Sequence, residues 1–190
     1  MILSNLEILA AISRGEIFID NLANYDPAQP PFNTTSVDLR LSSEIVIPTQ
    51  QPVALSPSKG GIASFLSTNS QRLTLTNIQP YTLKPSTFIL GRTIERVAFP
   101  INEGGNCYAA RVEGKSSLAR CGVLVHFTAP TIHAGFEGTI TLEIINLGVN
   151  DIQLTPDTYI YQLIIEEVKG IPTITPSQFR GQNTASGITT

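Results

Sequence analysis

The sequence predicts an all-β chain behind one short N-terminal helix. Three observations carry that reading. Short runs alternate apolar and polar residues with period two, in Ser36-Val37-Asp38-Leu39-Arg40-Leu41, Arg72-Leu73-Thr74-Leu75-Thr76 and Tyr159-Ile160-Tyr161-Gln162-Leu163-Ile164-Ile165. Gly60-Gly61, Gly104-Gly105 and Gly148-Val149-Asn150-Asp151 punctuate those runs as turns. The best helical pattern lies within residues 4–15. Many short strands separated by turns point to a β-sandwich or a barrel.

Taken in order, Ser4-Asn5-Leu6-Glu7 reads as a capping box, with Ser4 as N-cap and Glu7 reaching back to it. Leu6, Ile8, Leu9 and Ile12 recur at helical spacing, and Gly15 closes the helix. Asp26-Pro27-Ala28-Gln29-Pro30-Pro31 excludes regular structure, because proline removes backbone donors and fixes φ. From Thr34 onward the texture is β. After Pro176 the chain turns polar and Gly-bearing (Gln182-Asn183-Thr184-Ala185-Ser186-Gly187), so residues 177–190 read as a frayed end or a mobile C-terminal lid over a site.

A chain of 190 residues suits a single domain spanning 1–190 with a real core, and 42% apolar residues make it globular. No apolar run approaches the ~18 to 20 residues of a membrane span. Met1-Ile2-Leu3-Ser4 lacks the basic start of a signal peptide, so a cytoplasmic protein without membrane contact is expected. Charged residues are 14% of the chain, against roughly 25% in typical soluble proteins. That low density fits a surface partly covered in a homo-oligomer. Net charge is −3, which offers no basic field for nucleic acid. Yet Arg111, Lys115 and Arg120 fall within one short stretch, and local positive charge on an acidic protein suits a small anionic ligand.

Cys107 and Cys121 stand in no metal-ligand spacing, and His126 and His133 are the only histidines. The His-x-Glu and Pro-Cys-x-x-Cys elements of zinc nucleobase deaminases are missing. Hydrolysis of a base by this chain would therefore activate water without zinc.

Two segments carry candidate chemistry. Lys115-Ser116-Ser117-Leu118-Ala119-Arg120 gathers hydroxyls, cations and the backbone N–H groups of a helical turn, which together suit phosphate oxygens. It equally suits a polar loop capping a short helix, and it lacks P-loop spacing. Glu143 stands in Thr139-Ile140-Thr141-Leu142-Glu143-Ile144-Ile145. Alternation puts Ile140, Leu142 and Ile144 on one face and Thr139, Thr141, Glu143 and Ile145 on the other. Glu143 is then either a solvent-facing strand residue or a general base, and the second role needs a partly desolvated pocket. His126 in Val123-Leu124-Val125-His126-Phe127 reads as a satisfied, partly buried histidine. His133, just before a Gly turn, is better placed to touch a ligand. Asp38 reads as the partner of a neighbouring Arg.

In combination, Glu113-Gly114-Lys115-Ser116-Ser117-Leu118-Ala119-Arg120-Cys121-Gly122, Val125-His126-Phe127-Thr128-Ala129, Ile132-His133-Ala134-Gly135-Phe136-Glu137-Gly138 and Thr141-Leu142-Glu143 resemble the dCTP deaminase branch of the dUTPase-like superfamily. Ser36 to Leu41 and Phe179-Arg180-Gly181-Gln182 extend the resemblance over nearly the whole chain. It implies a distorted β-barrel or jelly-roll, assembled as a homotrimer with sites between subunits. It implies dCTP as substrate, Mg²⁺ carried on the triphosphate, no zinc and no protein metal ligands. By the same resemblance Glu143 is the general base that activates water for attack on C4 of cytosine. Ser116 and the Ala129 carbonyl position that water, and Arg120 supports Glu143. Lys115, Ser116 and Ser117 hold phosphates, while Leu118, Ala119, His133, Thr141, Leu142 and Gln182 complete the substrate contacts. Ammonia leaves and dUTP forms for thymidylate synthesis.

Three positions depart from the family pattern. His133 stands where the family carries an Asp on the deoxyribose 3′-hydroxyl, and imidazole cannot act as a fixed anion. Gln178 replaces a tail Lys, and the expected Tyr is missing near Ile171-Pro172. Two alternatives stay open on these grounds: a bifunctional enzyme giving dUMP and pyrophosphate, and a nucleotide-binding homologue without turnover.

Overall fold

The computed structural model describes residues 1–52, 54, 61–175, 177 and 179–187. Gly60, Pro176 and Gln178, singled out above, lie outside the described residues, as do residues 188–190.

The first helix, α1 (Asn5–Ser13), starts where Ser4 Oγ accepts the Glu7 N–H at 3.3 Å, and Gly15 follows it at φ +70°. Its buried face is Ile8 and Ala11, one helical turn apart, with Leu9 and Ile12 packed beside them. Leu6 is 64% exposed. The apolar spacing that includes Leu6 therefore overstates the stripe, because a nine-residue helix lying on a curved sheet covers only a narrow band.

Among the described residues strands far outnumber helical residues, which is the predicted all-β class. They run β1 (Phe18–Asp20), β2 (Phe32–Asn33), β3 (Ser36–Pro48), then a short helix α2 (Ile62–Thr68), β4 (Ser70–Thr74), β5 (Tyr81–Leu83), β6 (Phe88–Ala98) and β7 (Cys107–Gly114). A one-turn helix α3 (Ser116–Arg120) comes next, then β8 (Val123–Leu124), β9 (Thr131–Ile132), β10 (Glu137–Asn146), β11 (Ile152–Leu154) and β12 (Tyr159–Val168). Helix α2 follows Gly61, which the turn reading of Gly60-Gly61 does not anticipate.

The long strand β3 makes the sheet curl. Its first half pairs antiparallel with β12 (Val37 opposite Leu163), and its second half pairs with β6 and β4 (Val46 opposite Leu90 and Arg72). A register break between Leu41 and Ile45 bends the strand between the two halves. The resulting order is β8-β10-β6-β3-β12-β7-β9, with β5 and β11 as a separate antiparallel pair. Val37, Leu39, Leu41, Ile45, Ile89, Leu142, Ile144, Leu163 and Ile165 fill the inside of the curl.

Buried polar groups are tied into this frame. Glu95 is 1% exposed and faces Arg40, which donates from its backbone N–H at 2.9 Å and from Nε at 2.7 Å. Burial, with Glu95 nearby, pushes the Tyr161 hydroxyl well above its ordinary pKa, so it stays protonated. Among the described residues no helix is long and apolar enough to cross a membrane.

Candidate active site

Strand β10 is rich in β-branched residues and pairs with β6 along its length, Leu142 opposite Gly91 and Glu143 opposite Leu90. Alternation buries Ile140, Leu142 and Ile144 and leaves Thr141 and Glu143 on the other face, as the sequence predicts; Thr139 is buried as well, beside a register break at Thr139/Thr141. The chain after α3 runs back along this strand. The Glu143 N–H donates to the Val125 carbonyl at 3.2 Å, and one carboxylate oxygen accepts the Phe127 N–H at 3.0 Å. Glu143 is thus gripped by the residues on either side of His126. A backbone donor on one oxygen fixes the carboxylate's orientation and leaves the other oxygen free.

Beside it opens a cavity of about 530 Å³. Glu143, Thr141, His126, Ala129 and His133 line it, against apolar walls from Leu90, Val112, Ile132 and Ile140. Helix α2 adds Ala63 and Leu66, and the tail closes the remaining side with Phe179, Arg180, Gln182 and residues 185–187. Mostly apolar walls with a few convergent polar groups are the pattern of a small-molecule site.

The tail is docked by specific bonds. Gly181 N–H donates to the Glu137 carbonyl at 2.6 Å, Thr139 N–H to the Gln182 carbonyl at 3.0 Å, and Gln182 Nε2 to the Thr139 carbonyl at 2.8 Å. Beyond them Ala185 is fully buried against Val46 and Leu90. The Gln182 amide nitrogen is therefore engaged with the barrel, and its backbone extends β10 by a two-residue rung.

Of the residues singled out from sequence, the fold brings Glu143, Ala129, His133, Thr141 and Gln182 around one cavity. Lys115, Ser116, Ser117, Leu118, Ala119 and Arg120 do not line it. Helix α3 instead presents Ser116, Ser117, Ala119 and Arg120 outward, and among the described residues Arg120 has no ion-pair partner. The Leu142 side chain points into the core at 0% exposure.

The cluster of three cations is also less free than its spacing implies. Lys115 forms an ion pair with Asp38 and sits 5.8 Å from the centre of the Tyr159 ring. Arg111 reaches across to Glu166 on β12 at 2.8 Å. Asp38 is partnered by a lysine rather than an arginine, because β3 and the end of β7 flank β12 on its two sides.

His126 corrects the sequence reading. Its Nδ1 is buried without a hydrogen-bond partner and its Nε2 lies 3.9 Å from Glu113, so it is a cavity residue and not a satisfied core histidine. The apolar wall from α2 and β9 was also missed. A Gly-flanked, Ser- and Ala-containing tail carries no periodic signal for packing.

Comparison with known proteins follows the same outline. Residues 2–168 match the family model described as dCTP deaminase-like. A dCTP deaminase of Haloarcula marismortui is 35% identical over 175 residues, covering 89% of this chain and 82% of the relative. A relative in Halobacterium salinarum named "dCTP deaminase, dUMP-forming" is 36% identical over 169 residues, with coverage of 88% and 81%. The crystal structure of 2′-deoxycytidine 5′-triphosphate deaminase from Agrobacterium tumefaciens superposes with a TM-score of 0.64 at 19% identity, a likeness of fold. It covers 88% of this chain and 47% of that one, so this chain spans about half the length of that protein. With the family model matched over residues 2–168 and relatives above 30% identity across most of both chains, this protein belongs to the dCTP deaminase-like family.

Proposed function

We propose that this chain deaminates dCTP hydrolytically, without zinc, to dUTP and ammonia, with Glu143 as the general base. The observation that carries the reading is the Glu143 carboxylate, held by the Phe127 N–H at 3.0 Å beside a cavity of about 530 Å³. Family membership supports the substrate class.

In this reaction Glu143 takes a proton from water as the oxygen adds to C4 of cytosine, and passes that proton to ring N3. It then takes the proton of the new C4 hydroxyl and delivers it to the amino nitrogen. The C4–N bond breaks, ammonia leaves, and C4 becomes the carbonyl of uracil. General acid–base catalysis of this kind contributes about 10²- to 10⁴-fold. Ala129 is at hand in the cavity, and its carbonyl positions the attacking water.

Ser116 and Arg120 act in the same site in this reading, Ser116 on the water and Arg120 on Glu143, although neither lines the cavity of its own chain. Their outward presentation supports a homotrimer in which helix α3 of one copy completes the cavity of the next. Lys115, Ser116 and Ser117 then offer ammonium, hydroxyl and backbone N–H donors to the triphosphate. That donor set fits phosphate oxygens and not a cation, so Mg²⁺ enters as part of the substrate.

The test is to incubate the purified chain with dCTP and Mg²⁺ and resolve the products chromatographically, with Glu143→Gln in parallel. Accumulating dUTP, falling about 10²- to 10⁴-fold in the variant, is the expected result. Direct formation of dUMP and pyrophosphate would establish the bifunctional alternative and show that His133 is no obstacle to the second step. Near wild-type deamination by Glu143→Gln would remove Glu143 as the base.

A further inference from the structure

Glu44 and Arg92 stand on the same face of the sheet as Glu143. Glu44 lies two residues before Val46 on β3 and Arg92 two after Leu90 on β6; Val46 pairs with Leu90, and Leu90 with Glu143 on β10. Arg92 Nε donates to one Glu44 oxygen at 2.9 Å, and Arg92 Nη1 donates to the Thr93 carbonyl at 3.3 Å. The two side chains are 26% and 22% exposed, and an ion pair open to solvent contributes little by itself. The second Glu44 oxygen is used differently: it accepts the Ala185 N–H of the tail at 3.4 Å, across 141 positions of sequence. The Ala185 methyl is fully buried in a cluster with Val46 and Leu90, against which Leu66 and Phe88 pack.

The tail is therefore fixed at two separate places. The rung at Gly181 and Gln182 joins it to the start of β10, and Ala185 joins it to β3 and β6. Gln182 and residues 185–187 form one wall of the cavity, while Glu44 and Arg92 do not line it. We infer that Glu44, oriented by Arg92, is a latch on the tail, and that this latch gates the passage of ligand between solvent and the cavity. The latch stands on the fold alone, whereas its effect on a nucleotide rests on the proposed deaminase reading. Both side chains are positioning residues that act through Ala185. A gate differs from a binding contact in its kinetics. A ligand that enters only past an open tail associates at a rate scaled by the open fraction. The latch is made alike in the empty and the occupied protein, so it drops out of the equilibrium, and its loss raises kon and koff together.

Glu44→Ala, Arg92→Ala and the double variant test the latch by hydrogen exchange at the Ala185 amide, without nucleotide. Exchange there reads the local open fraction, which should rise about 2- to 12-fold in Glu44→Ala, the worth of one hydrogen bond. The double variant should add nothing to Glu44→Ala, because Arg92 acts through Glu44. Surface plasmon resonance with dUTP and Mg²⁺ over the immobilised protein reads the gate. There kon and koff should each rise about 2- to 12-fold in Glu44→Ala, with Kd unchanged. Ala185→Pro removes the donor from the tail side and leaves the barrel untouched, so it should raise both rates even where a barrel variant folds poorly. Unaltered Ala185 exchange in Glu44→Ala overturns the latch. Faster exchange with unaltered kon overturns the gate. A rise in koff alone overturns it too, since that marks Glu44 as a direct ligand contact. A wild type that binds no dUTP, with Ala185 exchange responding as expected, overturns the deaminase reading and the nucleotide gate while the latch holds.

Discussion

Gly138 is where the tail's docking is most exposed to a single change. It sits on β10 at φ +148°, with the tail backbone laid directly over it. A Cβ at this position would stand 2.7 Å from the Gln182 carbonyl oxygen and 3.1 Å from the Gln182 nitrogen. Both are backbone atoms, so no side-chain rotation relieves the contact. Gly138→Ala should therefore lift the tail from β10. Four hydrogen bonds join Glu137 and Thr139 to Gly181 and Gln182, and at about 0.5 to 1.5 kcal/mol each they hold the tail by about 2 to 6 kcal/mol. Losing them raises the open fraction of the tail roughly 30- to 20,000-fold. Trypsin cleavage after the exposed Arg180 reads this fraction when opening is fast relative to cleavage. Gly170→Ala is the control: it too is a positive-φ glycine, at +84°, but nothing lies within 4 Å of its added Cβ. It should leave the Arg180 site protected. Equal cleavage rates in wild type, Gly138→Ala and Gly170→Ala, with unchanged hydrogen exchange at Gly181, would refute the reasoning.

Two further outcomes follow from the paired charges. Arg40→Ala leaves the Glu95 carboxylate, 1% exposed, without its guanidinium, and should cost about 3 to 5 kcal/mol in chemical denaturation; a change below about 1 kcal/mol would mean that the backbone N–H of residue 40 suffices. Glu16 is held below the ordinary carboxylate value of 4.5, chiefly by its hydrogen bond from Arg14 and also by the Tyr108 hydroxyl, against an opposing effect of burial. A lowered pKa adds stability above the ordinary value that is lost as pH falls through the lowered one. Glu16→Gln should accordingly flatten the melting temperature against pH below about pH 4.5, and an unaltered acid limb would assign the loss to other carboxylates.

Much of the frame was legible from local pattern. Ser4, the turn at Gly15, the alternation of Ser36 to Leu41 and of Tyr159 to Ile165, and the face carrying Thr141 and Glu143 all reflect interactions within a few residues. Period two and the capping spacing encode them directly, and the structure carries the cap, the turn, both strands and the β10 face, although Ser36 and Asp38 are buried beside Val37 and Leu39, and Ile160 and Tyr161 are buried in succession at a register break. The same patterns are silent on what the strands place side by side. Lys115 meets Asp38 across 77 positions, and Gln182 meets Thr139 across 43. Arg111 goes to Glu166 because β7 and β12 pair in a particular register, Arg111 opposite Ile164.

The sequence by itself determined the all-β class, the capped N-terminal helix and the face of β10 that Thr141 and Glu143 share, because short-range periodicity and residue chemistry are written into neighbouring positions. Only the tertiary structure decided that His126 joins Glu143 at a cavity, that Arg111 and Lys115 are paired while Arg120 faces outward, and that the tail closes over β10. Those facts depend on strand register and on the bend in β3, which sum weak contacts over the whole barrel and leave no signature in any one stretch of sequence.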